Sequence, residues 1–456
     1  MKKTHKLTLT LTVLSYLLFI ISCSKQDKSS AEPDLQTVTR QTLAKVSFND
    51  NSFTVPVEVV SVLAVNIDKL MPGAKNVENS GELSVEKSFT INDSAGSPNM
   101  YIFNYKDDGY AVFSADERYT PLLAIVKKGK FEKREVSAGL LNWFDMTMDY
   151  INLAKVGKID SKGKTEAAWK HALAIIESSI PVSSDGEVVN RPQPTLCCEG
   201  CPNYPDCLAI PELGCGGDPN VVCNPCGTAT YTQKGPYLQT QWGQRVGYND
   251  LCPNYNCTAY TACSVSNTNV PTGCVATAVA QIMRYWAVPT PYNYNYTGMP
   301  DIYNACNGNN TEIHRLIRNI ADAVGMGWEC SGSGADPEDA ANVLRTIFGY
   351  SSATYSSYDS GDHNIIVTNL NAGRPVILGG YKTRTFIWPF YGYENGHAWV
   401  CDGYYRDSNN CYSYLYFNMN WGWDSSDDGW FAYNNWAPPT AGNLQYKQDI
   451  IYNIYP

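Results

Sequence analysis

The placement of cysteine constrains this chain more than any other feature. After Cys23 the next cysteine is Cys197, and fifteen of the 16 lie at or beyond that point. A first half without cross-links must be held by an apolar core, whereas the second can be stapled. The aromatics break at the same place, because only six of 32 Tyr and two of 11 Trp precede residue 200. So does the charge: 11 of the 34 basic and 20 of the 44 acidic residues follow residue 200, which puts nearly all of the net −10 there. At 456 residues the chain exceeds one ordinary core, and the step marks a domain boundary. A composition of 44 % hydrophobic and 17 % charged residues belongs to an ordered protein. The acidic second half argues against nucleic acid as a partner.

The N-terminus reads as an address. "MKKTHK" is basic, and "LTLTLTVLSYLLFIISC" is too short and too abruptly ended for a comfortable membrane span. Ile20 to Cys23 resemble a bacterial lipobox, so we expect a signal peptide over 1–22 and a lipidated Cys23, with membrane contact through that anchor only. A simply cleaved signal that removes Cys23 is the other reading. The tether and first domain then run over 23–190. Within it "PVEVVSVLAVNIDKLM", "GLLNWFDMTMDYINLAKVG" and "TEAAWKHALAIIESSI" carry helical spacing. "MYIFNYKDDGYAVFSADE" is two strands around an Asp-Asp-Gly turn. The stretch from Pro181 to Pro194 is a loop that a protease can reach.

Residues 191–230 form a cysteine-rich linker, "CCEGCPNYPDCLAIPELGCGGDPNVVCNPC". Its pairs Cys198/Cys201 and Cys223/Cys226 have near zinc-ribbon spacing, but an exported chain favours disulfides. With Cys23 lipidated, fifteen cysteines remain, so at least one thiol stays free.

Cys274 is the candidate for that thiol. In "PTGCVATAVAQIMRYWAVP" the residues Val275, Val279, Ile282 and Trp286 share one helical stripe, which puts Cys274 in the first turn of a buried helix, just after Gly273. Unpaired N–H groups and the helix macrodipole favour an anion there, which lowers a thiol pKa and arms a nucleophile. A buried structural cysteine fits the same spacing. A base must come from five histidines. His5 lies in the signal and His171 in the first half; His314 sits in an amphipathic helix, and His363 in a loop before an apolar run. His397, in "YENGHAWVCDGYY", starts a strand after Gly396, a rigid seat for a base. In "YLYFNMNWGWDSSDDGW" Asn420 or a neighbour can hold the imidazole while Trp421 and Trp423 exclude water, although a Trp-rich strand is also plain core.

Together these stretches resemble streptopain and its relatives, secreted bacterial cysteine peptidases of papain-like fold. "GCVATAVAQIMRYW" resembles their nucleophile helix, "GHAWVCDGY" the histidine strand, "NWGW" the histidine support and "QTQWGQRVGYND" the segment whose glutamine helps form the oxyanion hole. The first half resembles their inhibitory prodomain through "YIFNYKDDGYAVFSADERYTPLLAIV". The resemblance implies an α+β protein with a papain-like two-lobed catalytic domain over 231–456, preceded by a smaller α+β prodomain. It implies a latent zymogen of a cysteine endopeptidase acting on proteins or peptides, with its own prodomain as intramolecular inhibitor and no cofactor or metal. Cys274 would be nucleophile, His397 base and acid, Gln244 the oxyanion donor, with Gln241 the weaker choice, and Asn420 or Trp421 the support for His397. Cys252, Cys257, Cys263, Cys306, Cys330, Cys401, Cys411 and the linker cysteines depart from the family pattern. Cys401, at even spacing from His397, faces the same way, and a disulfide from it to Cys274 would silence the enzyme. A disulfide-stabilised surface binding module and a thiol amidase or transglutaminase-like enzyme are the alternative readings.

Overall fold

The computed structural model describes residues 53–71, 83–132, 138–158, 162–179, 230–262, 264–303, 310–358, 363–380, 386–387, 390–391, 396–409, 413–433 and 448–456. Cys23, the signal segment and the cysteine-rich linker lie outside the described residues. The fold is α+β. The first half contributes α1 (Val57–Val65), α2 (Ile67–Leu70), β1 (Val85–Asn92), β2 (Pro98–Tyr105), β3 (Tyr110–Ser114), β4 (Leu122–Val126), α3 (Ala138–Lys155) and α4 (Lys162–Ser179). The second half starts with β5 (Thr230–Lys234), β6 (Tyr260–Ala262), β7 (Val265–Asn267), α5 (Cys274–Trp286), α6 (Thr311–Ala323) and α7 (Pro337–Thr346). It continues through β8 (Ser352–Tyr358), α8 (His363–Asn371), β9 (Val376–Gly380), β10 (Phe386–Ile387) and β11 (Phe390–Tyr391). It closes with β12 (His397–Ser408), β13 (Ser413–Asn420), β14 (Gly429–Ala432) and β15 (Gln448–Tyr455).

Helices α1 to α6 and the β2–β3 hairpin fall where the apolar spacing predicts them, whereas α7 has no predicted counterpart and His363, expected in a loop, begins α8. What the composition step does not predict is how the halves join. One antiparallel sheet runs β1-β2-β3-β4-β14-β13-β12-β9-β15-β8, with β5 on the far end of β12, so first-half β4 pairs with second-half β14. The register sets Gly429 against Val126, Trp430 against Ile125 and Phe431 against Ala124. Gly429 allows this approach: a Cβ there would lie 2.2 Å from the Ile125 carbonyl oxygen.

Every residue of β3 and β4 is buried because both faces of that sheet are covered. Side chains alternate between two cores, as the pleat requires. Met100 and Ile102 join Trp143 and Phe144 of α3 in one core, whereas Tyr101 and Phe103 join Val59 and Leu63 of α1 and Trp169 of α4 in another. The α3 core continues without a break into Trp399, Phe417, Trp421 and Phe431 of the second half. A third core packs α5, α6 and α7 on the opposite face of β12, through Ala398 and Val400. The catalytic candidates lie where this helical layer meets β12.

Candidate active site

Helix α5 begins at Cys274, after Gly273 at φ +87. No other residue suits that position, since a Cβ there would come within 2.7 Å of Met326 Sδ and 3.0 Å of the Ser333 carbonyl oxygen. The helix has no side-chain N-cap, which leaves its first N–H groups for the sulfur. Those of Cys274 and Val275 favour the thiolate, as does the N–H of Ala398, the residue after His397 on β12. Even so, burial outweighs the three donors and pushes the Cys274 thiol above its ordinary pKa. The lowered pKa expected from the helix terminus alone is therefore corrected for this form of the protein. The side chain is almost closed off, at 9 % exposure, and the sulfur is free.

The glutamine segment is bound to the same place. The Thr272 N–H donates to the Gln244 carbonyl oxygen at 3.0 Å, and Gln244 Nε2 donates to the Gly422 carbonyl oxygen at 3.3 Å. Gln244 thus lies between the start of α5 and the loop after β13. Gln241 turns the other way, with its side-chain oxygen 3.5 Å from Lys128 Nζ of the first half.

His397 opens β12 opposite Gly380 and is buried. Its Nε2 lies 3.0 Å from the Trp421 carbonyl oxygen. A carbonyl can only accept, so Nε2 carries the hydrogen and Nδ1 is the basic nitrogen of the neutral ring. Burial lowers the His397 pKa to about 4, although the bond to Trp421 opposes the shift. The ring lies nearly parallel to that of Trp399, with centroids 6.1 Å apart. Trp421 is itself fixed: its N–H donates to Asp428 Oδ1 at 2.8 Å, its indole N–H to the Asp427 carbonyl oxygen at 3.0 Å, and its ring meets Trp399 and Phe431.

In this structure the His397 ring meets the main chain of Trp421 and not the side chain of Asn420. The Asn420 amide donates to the Thr240 carbonyl oxygen and to Gln281 Oε1, and accepts from Gln281 Nε2 and the Gly422 N–H. All four of its hydrogen-bonding places are taken, none by His397. The main chain of Trp421, not the side chain of Asn420, holds the imidazole. Gln281 escaped the sequence reading; its signal was a lone amide inside an Ala- and Val-rich helix, two turns beyond Cys274.

Among the described residues, the other cysteines and histidines take no part in these contacts. Cys252 and Cys401 are buried free thiols, so no bridge joins Cys401 to Cys274. Burial raises the pKa of both, that of Cys252 to about 12. Cys257 is bonded to Cys330. His314 is a packed core residue, its Nε2 2.5 Å from the Gly247 carbonyl oxygen, and His363 begins α8. Cys263, Cys306 and Cys411 lie outside the described residues.

Comparison with known proteins adds the family. The model of the Peptidase C10 family matches residues 242–293 and 290–431, which span α5, His397 and the Trp421 loop. That of the Spi protease inhibitor matches residues 68–151 of the first half. Streptopain of Streptococcus pyogenes is 22 % identical over 425 residues, covering 84 % of this chain and 86 % of its own length. The thiol protease/hemagglutinin PrtT of Porphyromonas gingivalis is 28 % identical over 253 residues, covering 47 % of this chain and 26 % of its own. Among solved structures, a fragment of Prevotella intermedia prointerpain A overlays with a TM-score of 0.49 at 21 % identity, over 83 % of this chain and 99 % of that one. Active interpain A from the same organism gives 0.37 at 25 % identity, over 49 % and 96 %. With a C10 match across the candidate site, an inhibitor match ahead of it and a likeness to streptopain over 84 % of its length, the chain is a cysteine peptidase similar to streptopain, made as a zymogen.

Proposed function

We propose that this zymogen yields an endopeptidase whose nucleophile is Cys274 and whose base is His397. His397 Nδ1 takes the thiol proton as the sulfur attacks the scissile carbonyl carbon, and the carbonyl π pair moves onto oxygen. Gln244 Nε2 and the Cys274 N–H receive that oxyanion, each donor contributing on the order of 3 kcal/mol. On collapse the C–N bond breaks, and the imidazolium gives its proton to the leaving amine. Water, deprotonated by the same nitrogen, then hydrolyses the thioester. The observation that carries this reading is the bond from His397 Nε2–H to the Trp421 carbonyl, since it leaves Nδ1 as base one residue from the N–H that faces the Cys274 sulfur. Cys274→Ala should abolish casein hydrolysis and stoichiometric labelling by a thiol-directed epoxide. Retained hydrolysis in that variant would refute the assignment.

We further propose export under the N-terminal signal, with Cys23 lipidated and the peptidase freed from the membrane by cleavage between about residues 181 and 230. The basic start, apolar run and lipobox-like Ile20–Cys23 support this. Radioactive fatty acid should label the full chain in a bacterial host and not a Cys23→Ala variant; equal labelling of both would end the idea.

A further inference from the structure

Three segments of the site meet at one buried amide pair. The Gln281 side chain is fully buried on α5, seven residues after Cys274, and Asn420 ends β13. Gln281 Nε2 donates to Asn420 Oδ1 at 3.0 Å, and Asn420 Nδ2 donates back to Gln281 Oε1 at 3.2 Å. The same Oε1 accepts the Trp242 N–H at 3.2 Å, two residues before Gln244. Asn420 Nδ2 also reaches the Thr240 carbonyl oxygen at 2.8 Å, and its Oδ1 takes the Gly422 N–H at 3.1 Å. Gly422 in turn accepts from Gln244 Nε2.

We infer that Gln281 and Asn420 are a coupled pair of positioning residues, which set the nucleophile helix, the oxyanion glutamine and the Trp421 carbonyl in one register. This rests on the catalytic assignment above. A polar pair with five satisfied bonds among apolar neighbours has no reason to exist for packing alone, because an unpaired buried amide is costly and two hydrocarbon side chains would avoid the risk. Its directional bonds do what packing cannot: they fix the main chain of 240–242 and 420–422 against α5 to within hydrogen-bond tolerance. Catalysis is sensitive to displacements on that scale.

The test is a double-mutant cycle on the full chain matured by an added serine protease that is then blocked by its own inhibitor, with catalysis counted per site titrated by a thiol-directed epoxide. Gln281→Leu and Asn420→Leu should each lower kcat per titrated site by about 10–100-fold with KM within about twofold, and should shift the acidic limb of the pH profile. The double variant should lose no more than the worse single one. Should the leucine variants fail to accumulate, Gln281→Glu serves, since it keeps the acceptor toward Trp242 and Asn420 and sets a second acceptor against Asn420 Oδ1 where the donor was. A kcat per titrated site within twofold of wild type, or losses that multiply, would overturn the inference. Cys274→Ala, assayed alongside, separates the two failures: activity there sinks the catalytic assignment, whereas silence there with unaffected Gln281 and Asn420 variants sinks this pairing alone.

Discussion

At the residue scale, His397 links the chemistry to stability. Its folded pKa of about 4 lies below the ordinary 6.5, so between these values the unfolded chain binds a proton that the folded chain does not. Stability from this group is therefore full above pH 6.5 and is lost as pH falls toward 4, by about 3 kcal/mol in all. Buried Asp402, raised to about 7, works the other way, since its folded form holds the proton between 3.8 and 7 and so gains stability as pH falls. The total profile mixes both. The difference between wild type and His397→Asn isolates the histidine, and the variant should gain on wild type in melting temperature as pH drops from 6.5 to 4.5. A constant difference across that range would show that the ring is not buried in its neutral form. The residue types of the candidate site were legible in the sequence, and so was their local setting: Cys274 at the start of a helix, His397 at the start of a strand. The thiol pKa was not, because a helix terminus shows in one dimension while the layers that bury the sulfur are far away in sequence.

At the scale of elements, apolar periodicity carried α1 to α6 and the β2–β3 hairpin, and left α7 and α8 unread. It failed at "NWGW", which reads as a continuing strand. In the structure β13 stops at Asn420, and the chain turns through left-handed Gly422, Asp424, Ser425 and Asp427. Short polar residues tolerate that region, and the turn is what presents the Trp421 carbonyl to His397. The turn also places Asp427 Oδ1 3.0 Å from the Tyr110 hydroxyl of the prodomain, so the histidine support is tied to the inhibitory half. β14 follows directly, and its Gly429 is the close-contact point with β4. A Cβ at Gly429 meets only main-chain atoms of Ile125 and Val126, so Gly429→Val should weaken prodomain docking and leave the peptidase side intact. Overpacking of this kind costs about 1–3 kcal/mol. The expected result is a lag before casein hydrolysis that is shorter by roughly the five- to hundredfold which that energy represents. An unchanged lag would mean that β4–β14 pairing does not govern latency.

At the scale of the whole molecule, the two halves share a sheet and a core. Cutting the linker leaves the β4–β14 pairing and the core from Trp143 to Phe431 in place. A Cys274→Ala chain nicked by an added protease between residues 181 and 230 should therefore elute from a sizing column as one particle, and parting only on denaturation. Separate elution in native buffer would show that the shared core is too weak to hold the fragments. By itself, the sequence determined the identities that the proposed chemistry requires and the local elements that carry them, because helix and strand periods, a thiol after glycine and a histidine after glycine are all properties of neighbours along the chain. Only the tertiary structure decided which carbonyl holds the imidazole, which amide pair registers the catalytic strands, and that the prodomain continues the peptidase sheet. These depend on contacts between residues from 24 to more than 300 positions apart, where pairing is set by the packing of surfaces and leaves no periodic mark on either segment.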